Sequence, residues 1–261
     1  MAEQKMGRTY AIMGGVAALS YLLWKYGRRE STADPATTTN EKSFLTLNGT
    51  TTKETKMTHI LHVNSSPRGE GSQSRLVSNE LVEAMKAAHP DVTVTNRDLG
   101  HQEVPFVTEA FIGAMYTPAE ARTPEQKELL TLSDEMIAEL KAADVYVFGV
   151  PMYNFGVPAV FKAYIDYVAR ANETFNPATY EGLLKNKKAY VVSAHGGAGY
   201  GPGQERESYN QLVPTLRGVF GFLGVTDVEF VSVEGTAAPE EKRAPVMAAA
   251  REQIKKIAKA S

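Results

Sequence analysis

The chain has 261 residues, 43% hydrophobic and 22% charged, no cysteine and a formal net charge of −2. That is the composition of a globular protein with room for one large domain or two small ones, and it argues against global disorder. Without cysteine there are no disulfides, thiolate metal ligands or thiol nucleophiles, and a mildly acidic body offers nucleic acid no basic footprint.

The first 56 residues differ from the rest, with eight Lys/Arg against five Asp/Glu. Residues 9–24 carry no charge and are bracketed by Lys5 and Arg8 before and by Lys25, Arg28 and Arg29 after. Spanning a bilayer takes about 20 apolar residues, a length reached here over 9–26 only if Lys25 snorkels and Tyr26 sits in the interface. An uncleaved N-terminal anchor or targeting segment over 1–29 is therefore expected, with a signal peptide or mitochondrial presequence as the competing reading. Residues 30–56 are rich in Thr, Ser, Asn and Lys and read as a flexible linker. The globular domain is expected over 57–261.

Within that domain strand and helix patterns alternate. Residues 58–64 read as a strand, and 73–88 as a helix with Val77, Leu81, Ala84, Met85 and Ala88 on one face. Residues 92–98 alternate like a strand, and Leu129, Leu130, Met136, Ile137 and Leu140 mark a helix within 123–142. The run 145–150, apolar and rich in β-branched and aromatic residues, suits a strand covered on both faces. Pro158 fits the first turn of the next helix, which turns Phe161, Tyr164, Ile165 and Val168 inward. A strand over 189–194 and a helix with Leu212, Val213, Leu216, Val219 and Phe220 follow. A fifth strand at 227–233 and a helix over 246–260 complete the chain. This order predicts a doubly wound α/β domain: a five-stranded parallel sheet with right-handed crossovers and helices on both faces.

Three expected strand ends open into loops of similar character. The stretch 64–74 (Asn-Ser-Ser-Pro-Arg-Gly-Glu-Gly-Ser-Gln-Ser) offers hydroxyls and amides to an anion at a helix N-terminus. It lacks the Gly-x4-Gly-Lys-Ser/Thr of a P-loop, and it could equally be a solvated loop in which Ser72 or Ser74 caps the helix. Residues 152–156 offer amides, one carboxamide and two aromatic rings, or ordinary turn chemistry. In 194–203, glycines let backbone approach a flat ligand, but they fit no register of the Gly-x-Gly-x-x-Gly dinucleotide fingerprint. In the strand order 2-1-3-4-5 these three loops meet at the switch point, where ligands bind.

Other chemistries find little support. His59 and His62, three apart on a strand, point to opposite sides and cannot share a metal. His89 and His101 lie beside turns, where a solvated ring is expected, and His195 stands in the third loop. No metal-binding His/Asp/Glu cluster is evident, and Ser65 lacks Gly-x-Ser-x-Gly and a His partner.

Ser65-Ser66 with Ser72-Gln73-Ser74, Pro-Met-Tyr-Asn-Phe at 151–155 and Gly196-Gly197 resemble the FMN-dependent NADH:quinone oxidoreductase/azoreductase family. Leu-Ser-Asp-Glu-Met-Ile-Ala-Glu-Leu-Lys at 132–141, Val-Ala-Arg-Ala at 168–171 and Phe-Leu-Gly-Val-Thr-Asp-Val at 222–228 extend the resemblance over 57–261. It implies a flavodoxin-like fold and a homodimer with tightly bound, non-covalent FMN between the subunits. By position, Ser65, Ser72, Gln73 and Ser74 would hold the phosphate end of FMN. Pro151, Met152, Tyr153, Asn154 and Phe155, with Ala194, His195, Gly196 and Gly197, would frame the ring system. Phe155 and Phe175 are candidate walls of the substrate pocket. One departure is Ala194-His195, where some relatives have Ser-Arg. NADH or NADPH would be the hydride donor and quinones or azo compounds the acceptors, alternating in ping-pong fashion through a flavin that carries the chemistry, so no catalytic side chain is named. The alternative is a non-enzymatic, membrane-tethered flavodoxin-type carrier or FMN-binding regulator.

Asn64-Ser-Ser66 and Asn172-Glu-Thr174 are potential glycosylation sequons, and a glycan at the first would block the proposed phosphate loop. The expectation is a membrane-anchored enzyme whose domain faces cytosol or mitochondrial matrix, with a soluble cytoplasmic protein as the alternative.

Overall fold

Five strands in the order β2-β1-β3-β4-β5, all parallel, form the sheet at the centre of the computed structural model, which describes residues 59–260. They are β1 (His59–Asn64), β2 (Thr93–Asp98), β3 (Val145–Pro151), β4 (Lys188–Ala194) and β5 (Asp227–Val233). The helices are α1 (Gln73–Ala88), α2 (Glu109–Tyr116), α3 (Pro124–Ala142), α4 (Ala159–Val168), α5 (Leu212–Leu223) and α6 (Glu240–Ala260). The predicted doubly wound sheet and its strand order are those observed, and the described residues form one compact unit. The expected anchor at 9–26 and linker at 30–56 lie outside the described residues. Among the described residues, no helix is long and apolar enough to cross a membrane.

Strand alternation sorts the core into two layers. Ile60, Val145, Val147, Tyr190, Val192, Val231 and Val233 pack on one face with Val77, Leu81 and Met85 of α1 and Ile254 and Ile257 of α6. Leu61, Val63, Tyr146, Phe148, Val150 and Val191 pack on the other with Leu130 and Ile137 of α3, Phe161 and Tyr164 of α4, and Leu216 and Phe220 of α5. All seven residues of β3 are buried, as a strand covered on both faces must be. Helix ends follow local chemistry. Thr123 and Gln126 form a reciprocal capping box at the start of α3, with Pro124 in its first turn. Gly224 closes α5 with φ 102°, where a side chain would be strained.

Four local expectations are corrected. The eight-residue α2 was not foreseen, because only Phe111 and Ala114 of it are buried and no apolar stripe forms. The last helix starts at Glu240 rather than 246, with Pro245 inside it near its start. Leu129 and Ala88 face solvent rather than the core, since the burial stripes of α3 and α1 run through Ser133 and through Ser74 and Ser78 instead.

His62 explains part of that displaced stripe. Its ring is buried on the α1 side of the sheet, with Nε2 3.0 Å from Ser78 Oγ and Nδ1 3.2 Å from Asn96 Oδ1. Asn64 Nδ2 donates to His62 Nε2 (3.1 Å), and Ser78 Oγ donates to Asn64 Oδ1 (3.1 Å). Burial holds the His62 imidazole down at about 4, against the smaller upward pull of Asn96. Beside this network stands Gly149, where an added Cβ would lie 2.3 Å from Asn64 Oδ1 and 2.8 Å from Ser78 Oγ. A larger residue in the middle of β3 would displace the network.

Candidate functional site

Right behind Gly149, the carboxyl ends of β1, β3 and β4 are tied into one row. Ser65 N and Ser65 Oγ both donate to Gly149 O (3.0 and 3.1 Å), and Met152 N donates to Ala194 O (2.8 Å). The three predicted loops therefore leave the sheet side by side.

At the β1 end, Ser65, Ser72 and Ser74 are buried and Gln73 is half-buried. Ser72 is the N-cap of α1, accepting from Arg75 N, and its Oγ lies 3.2 Å from Ser74 Oγ. Ser72 caps the helix, as one reading of this loop expects, and the loop stands at the N-terminus of a 16-residue helix that has no acidic residue in its first turn. Hydroxyls and unpaired amides at such an end suit a phosphate. Arg75 braces the loop without joining the anion position. Its Nε donates to Ser66 O (3.0 Å) and its Nη1 to Asp98 Oδ2 (2.9 Å). Burial pulls the Asp98 carboxyl up, but hydrogen bonds from Arg75 and His101 outweigh that together and hold it at about 2. His101 is thus exposed yet engaged with Asp98.

At the β3 end, residues 153–156 make a tight turn, with Tyr153 N donating to Gly156 O and Gly156 N to Tyr153 O, each 3.1 Å. Asn154 (φ 48°) and Phe155 (φ 72°) are both left-handed, as in a type I′ turn. Asn tolerates that region, whereas a bulky Phe is held there at a cost. The turn leaves Tyr153 and Phe155 exposed, while Met152 is half-buried and Pro151 buried.

At the β4 end, Ala194 and His195 are buried and Gly196 and Gly197 exposed. An added Cβ at Gly196 would meet only Ala237 Cβ, at 3.8 Å, so the backbone faces open space. Neither ring nitrogen of His195 has a hydrogen-bond partner, nor has the buried Ser193 Oγ. Glu234 Oε1 lies 3.7 Å from His195 Nδ1, and the Tyr200 ring stands edge-on to the imidazole, 5.5 Å between centroids. Burial lowers the His195 pKa, against the opposing pull of Glu234, so the ring is neutral near pH 7. Glu234 itself accepts from Gly199 N (2.7 Å) and Tyr200 N (3.2 Å) and so pins the third loop.

Phe175 does not join this row. It lies in the connection that leads into the amino end of β4, its ring 4.7 Å from Phe222 and its backbone bridged to Gly182. Gly182 packs directly on Gly224, the residue that closes α5 ahead of β5, so Phe175 belongs to the opposite, amino end of the strands. Conversely, Arg75, Asp98, Glu234, Tyr200 and Tyr209 stand around the row without having been singled out. A charged residue at or just past a strand end, as Asp98 and Glu234 are, was the available signal for two of them. A cavity of about 760 Å³ opens beside the third loop, lined by Ala198, Glu205, Arg206, Glu234 and Lys242 among others. None of the Ser-rich loop or of 152–155 lines it, so this cavity lies to one side of the row of loops.

Comparison with known proteins agrees with the fold. Residues 58–258 match the family described as having a flavodoxin-like fold. An FMN-dependent NADH:quinone oxidoreductase of Nostoc punctiforme is 47% identical over 178 residues, covering 67% of this chain and 86% of that protein. One from Burkholderia pseudomallei is 44% identical, over 76% of this chain and 98% of its own. Among solved structures, an azoreductase from Bacillus anthracis superposes with a TM-score of 0.69 at 29% identity, covering 78% of this chain and all of that one. An FMN-dependent NADH-azoreductase from the same species, in complex with FMN, superposes equally well at 26% identity over 77% and 97% of the two chains. The chain belongs to the flavodoxin-like family of FMN-dependent NADH:quinone oxidoreductases and azoreductases, and it is an oxidoreductase enzyme.

Proposed function

We propose that the chain binds FMN in the crevice across β1, β3 and β4 and uses it to reduce quinones by two electrons with NADH or NADPH. Aromatic azo compounds are a second class of acceptor. The observation that carries this reading is a crevice with two matched ends. Ser72, Ser74 and the amides of α1 form an anion end on a helix whose first turn carries no acidic residue, and the bare backbone of Gly196 and Gly197 forms a flat-ligand end. The residues present fit FMN at both. Ser65 shapes rather than contacts the phosphate end, since its hydroxyl is committed to Gly149 O.

When bound, FMN supplies the redox chemistry, accepting hydride from the nicotinamide and passing two electrons to the acceptor. The chain's part is to orient and to exclude competitors. Met152 N is spent on Ala194 O, which keeps the second and third loops abreast, and the 153–156 turn stands Phe155 at the rim. The neutral, unpartnered His195 is the buried group available to a polar atom of the cofactor. Because the crevice is open on one side, a second copy of the chain is proposed to cover it, giving a homodimer with FMN at the interface.

The test is spectroscopic and kinetic. Purified protein is expected to be yellow, or to become so with FMN, and to bleach on anaerobic addition of NADH. Donor and acceptor using one crevice in turn should give parallel double-reciprocal lines at several fixed acceptor concentrations. A protein that takes up no FMN would end this reading, and intersecting lines would replace the shared crevice by a two-sided site.

A further inference from the structure

We propose that Phe155, Tyr200 and Tyr209 form an aromatic shelf that takes planar fused-ring acceptors, and that Tyr209 sets the preference for them over single-ring acceptors. The proposal rests on the quinone-reductase reading of the crevice and adds what in this chain selects among acceptors.

The three rings are contiguous. Phe155 lies 5.2 Å from Tyr209 and 6.5 Å from Tyr200, centroid to centroid, at interplanar angles of 32° and 52°. The row begins at buried His195, on whose ring Tyr200 stands edge-on, and ends in solvent, with Phe155 45% and Tyr209 55% exposed. Its inner end meets the flat-ligand end of the crevice, since the Tyr200 hydroxyl lies 3.2 Å from where a Cβ on Gly197 would be.

The shelf is also built rather than accidental. Phe155 reaches its place through the left-handed backbone at 154 and 155, a conformation strained for a bulky residue. Gln211 N donates to Phe155 O (2.9 Å), which ties the turn to the segment carrying Tyr209. Asn210 links the remaining pieces, with Nδ2 donating to Tyr200 O (3.2 Å) and Oδ1 accepting from Val213 N (3.2 Å) at the start of α5. Local strain, one hydrogen bond between loops and two within the third connection thus hold exposed aromatic rings at the mouth of a redox crevice. Offset stacking on such rings rewards extended planar area, so a bicyclic quinone gains more than a monocyclic one. The tyrosine hydroxyls leave the outer rim wet enough for the polar oxygens of a quinone.

The experiment uses the full chain loaded with FMN. Steady-state kinetics with saturating NADH compare menadione, a bicyclic quinone, with 1,4-benzoquinone for wild type, Tyr209→Ala and Tyr209→Phe. Tyr209→Ala is expected to raise the menadione KM roughly three- to tenfold at unchanged kcat and to leave the benzoquinone KM within about twofold. Tyr209→Phe should keep the wild-type preference. A binding measurement reads the shelf without turnover: anthraquinone-2-sulfonate titrated into oxidised holoprotein should perturb the flavin absorbance band, with weaker affinity in Tyr209→Ala. An unchanged ratio of the two KM values, or an equal rise in both, overturns the shelf while leaving the reductase reading intact. The same ratio accompanied by a changed oligomeric state assigns Tyr209 to subunit contact and likewise overturns it. A wild-type chain that holds no FMN overturns both readings.

Discussion

Phe155 is where strain and exposure meet in one residue. Its φ of 72° would suit glycine, and nearly half of its surface is open to water. Neither feature helps the fold, which points to a ligand as the reason for the side chain. Phe155→Gly is therefore expected to keep or raise stability, by up to about 1 kcal/mol, while weakening acceptor binding. Denaturation of the apo-protein reads the first effect and the menadione KM the second. A stability loss above about 1 kcal/mol would mean that ring packing outweighs backbone strain. His62 shows the opposite case of a polar residue that serves the fold. Its folded pKa of about 4 lies below the ordinary 6.5, so the unfolded chain takes up the proton first as pH falls. Stability from this group is full above 6.5 and is lost as pH falls through 6.5 towards 4, amounting to roughly 2 kcal/mol between pH 7 and 5. Asp98, held at about 2, loses its contribution in a lower window, as pH falls from near 4 to 2. Denaturant titration at pH 7 and pH 5 should thus show a drop in wild type that is absent in His62→Gln. Equal drops in both would place the pH sensitivity elsewhere.

At the scale of elements, the crevice depends on what its loops leave out. A Cβ at Gly196 meets nothing closer than 3.8 Å in the protein, so Gly196→Val should fold normally yet project its branch into the flat-ligand end. The expected result is an unchanged apo circular dichroism spectrum and melting temperature with FMN affinity reduced at least tenfold, about 1.4 kcal/mol. Unchanged affinity would move the ring system away from the third loop. The strands that frame this crevice were legible because alternation and β-branched runs report burial directly, and β5 and α1 have the very bounds that pattern reading assigns them. What stayed hidden depends on geometry that no periodicity carries. The eight residues of α2 bury only two side chains, and Pro245 masks the true start of α6. Phe155 meets Tyr200 and Tyr209 through the left-handed backbone at 154 and 155, and Phe175 stands apart because its connection folds back to the amino ends of the strands. The loops themselves were readable, since runs of Ser and Gly after successive apolar strands mark where the chain leaves the sheet.

At the scale of the whole molecule, the family match and every residue of the crevice lie at or after residue 58. Removing residues 1–56 is accordingly expected to leave FMN content and turnover with a water-soluble quinone within about twofold of the full chain, and a colourless truncated protein would make the arm part of the site. The oligomer is the larger question, because the crevice is open and the surface beside it is apolar. Phe106 (73%), Ile112 (43%) and Tyr116 (76%) are exposed on α2 and the connection leading to it, which leaves the sheet at the carboxyl end of β2. Leu129, exposed on α3, adds to the same flank, and α3 packs against α2. Large apolar side chains grouped this way mark a protein interface more often than a free surface. If a second chain lands here, it also closes the crevice that begins at the neighbouring strand ends. Dimerisation and FMN binding should then be linked, each strengthening the other by the same factor. Ile112→Glu places an unpaired charge at the centre of that flank without touching the crevice. The expected outcome is a shift from dimer to monomer in sedimentation together with FMN affinity weakened by at least tenfold. A variant that becomes monomeric but binds FMN as tightly as wild type would show that one chain holds the cofactor alone.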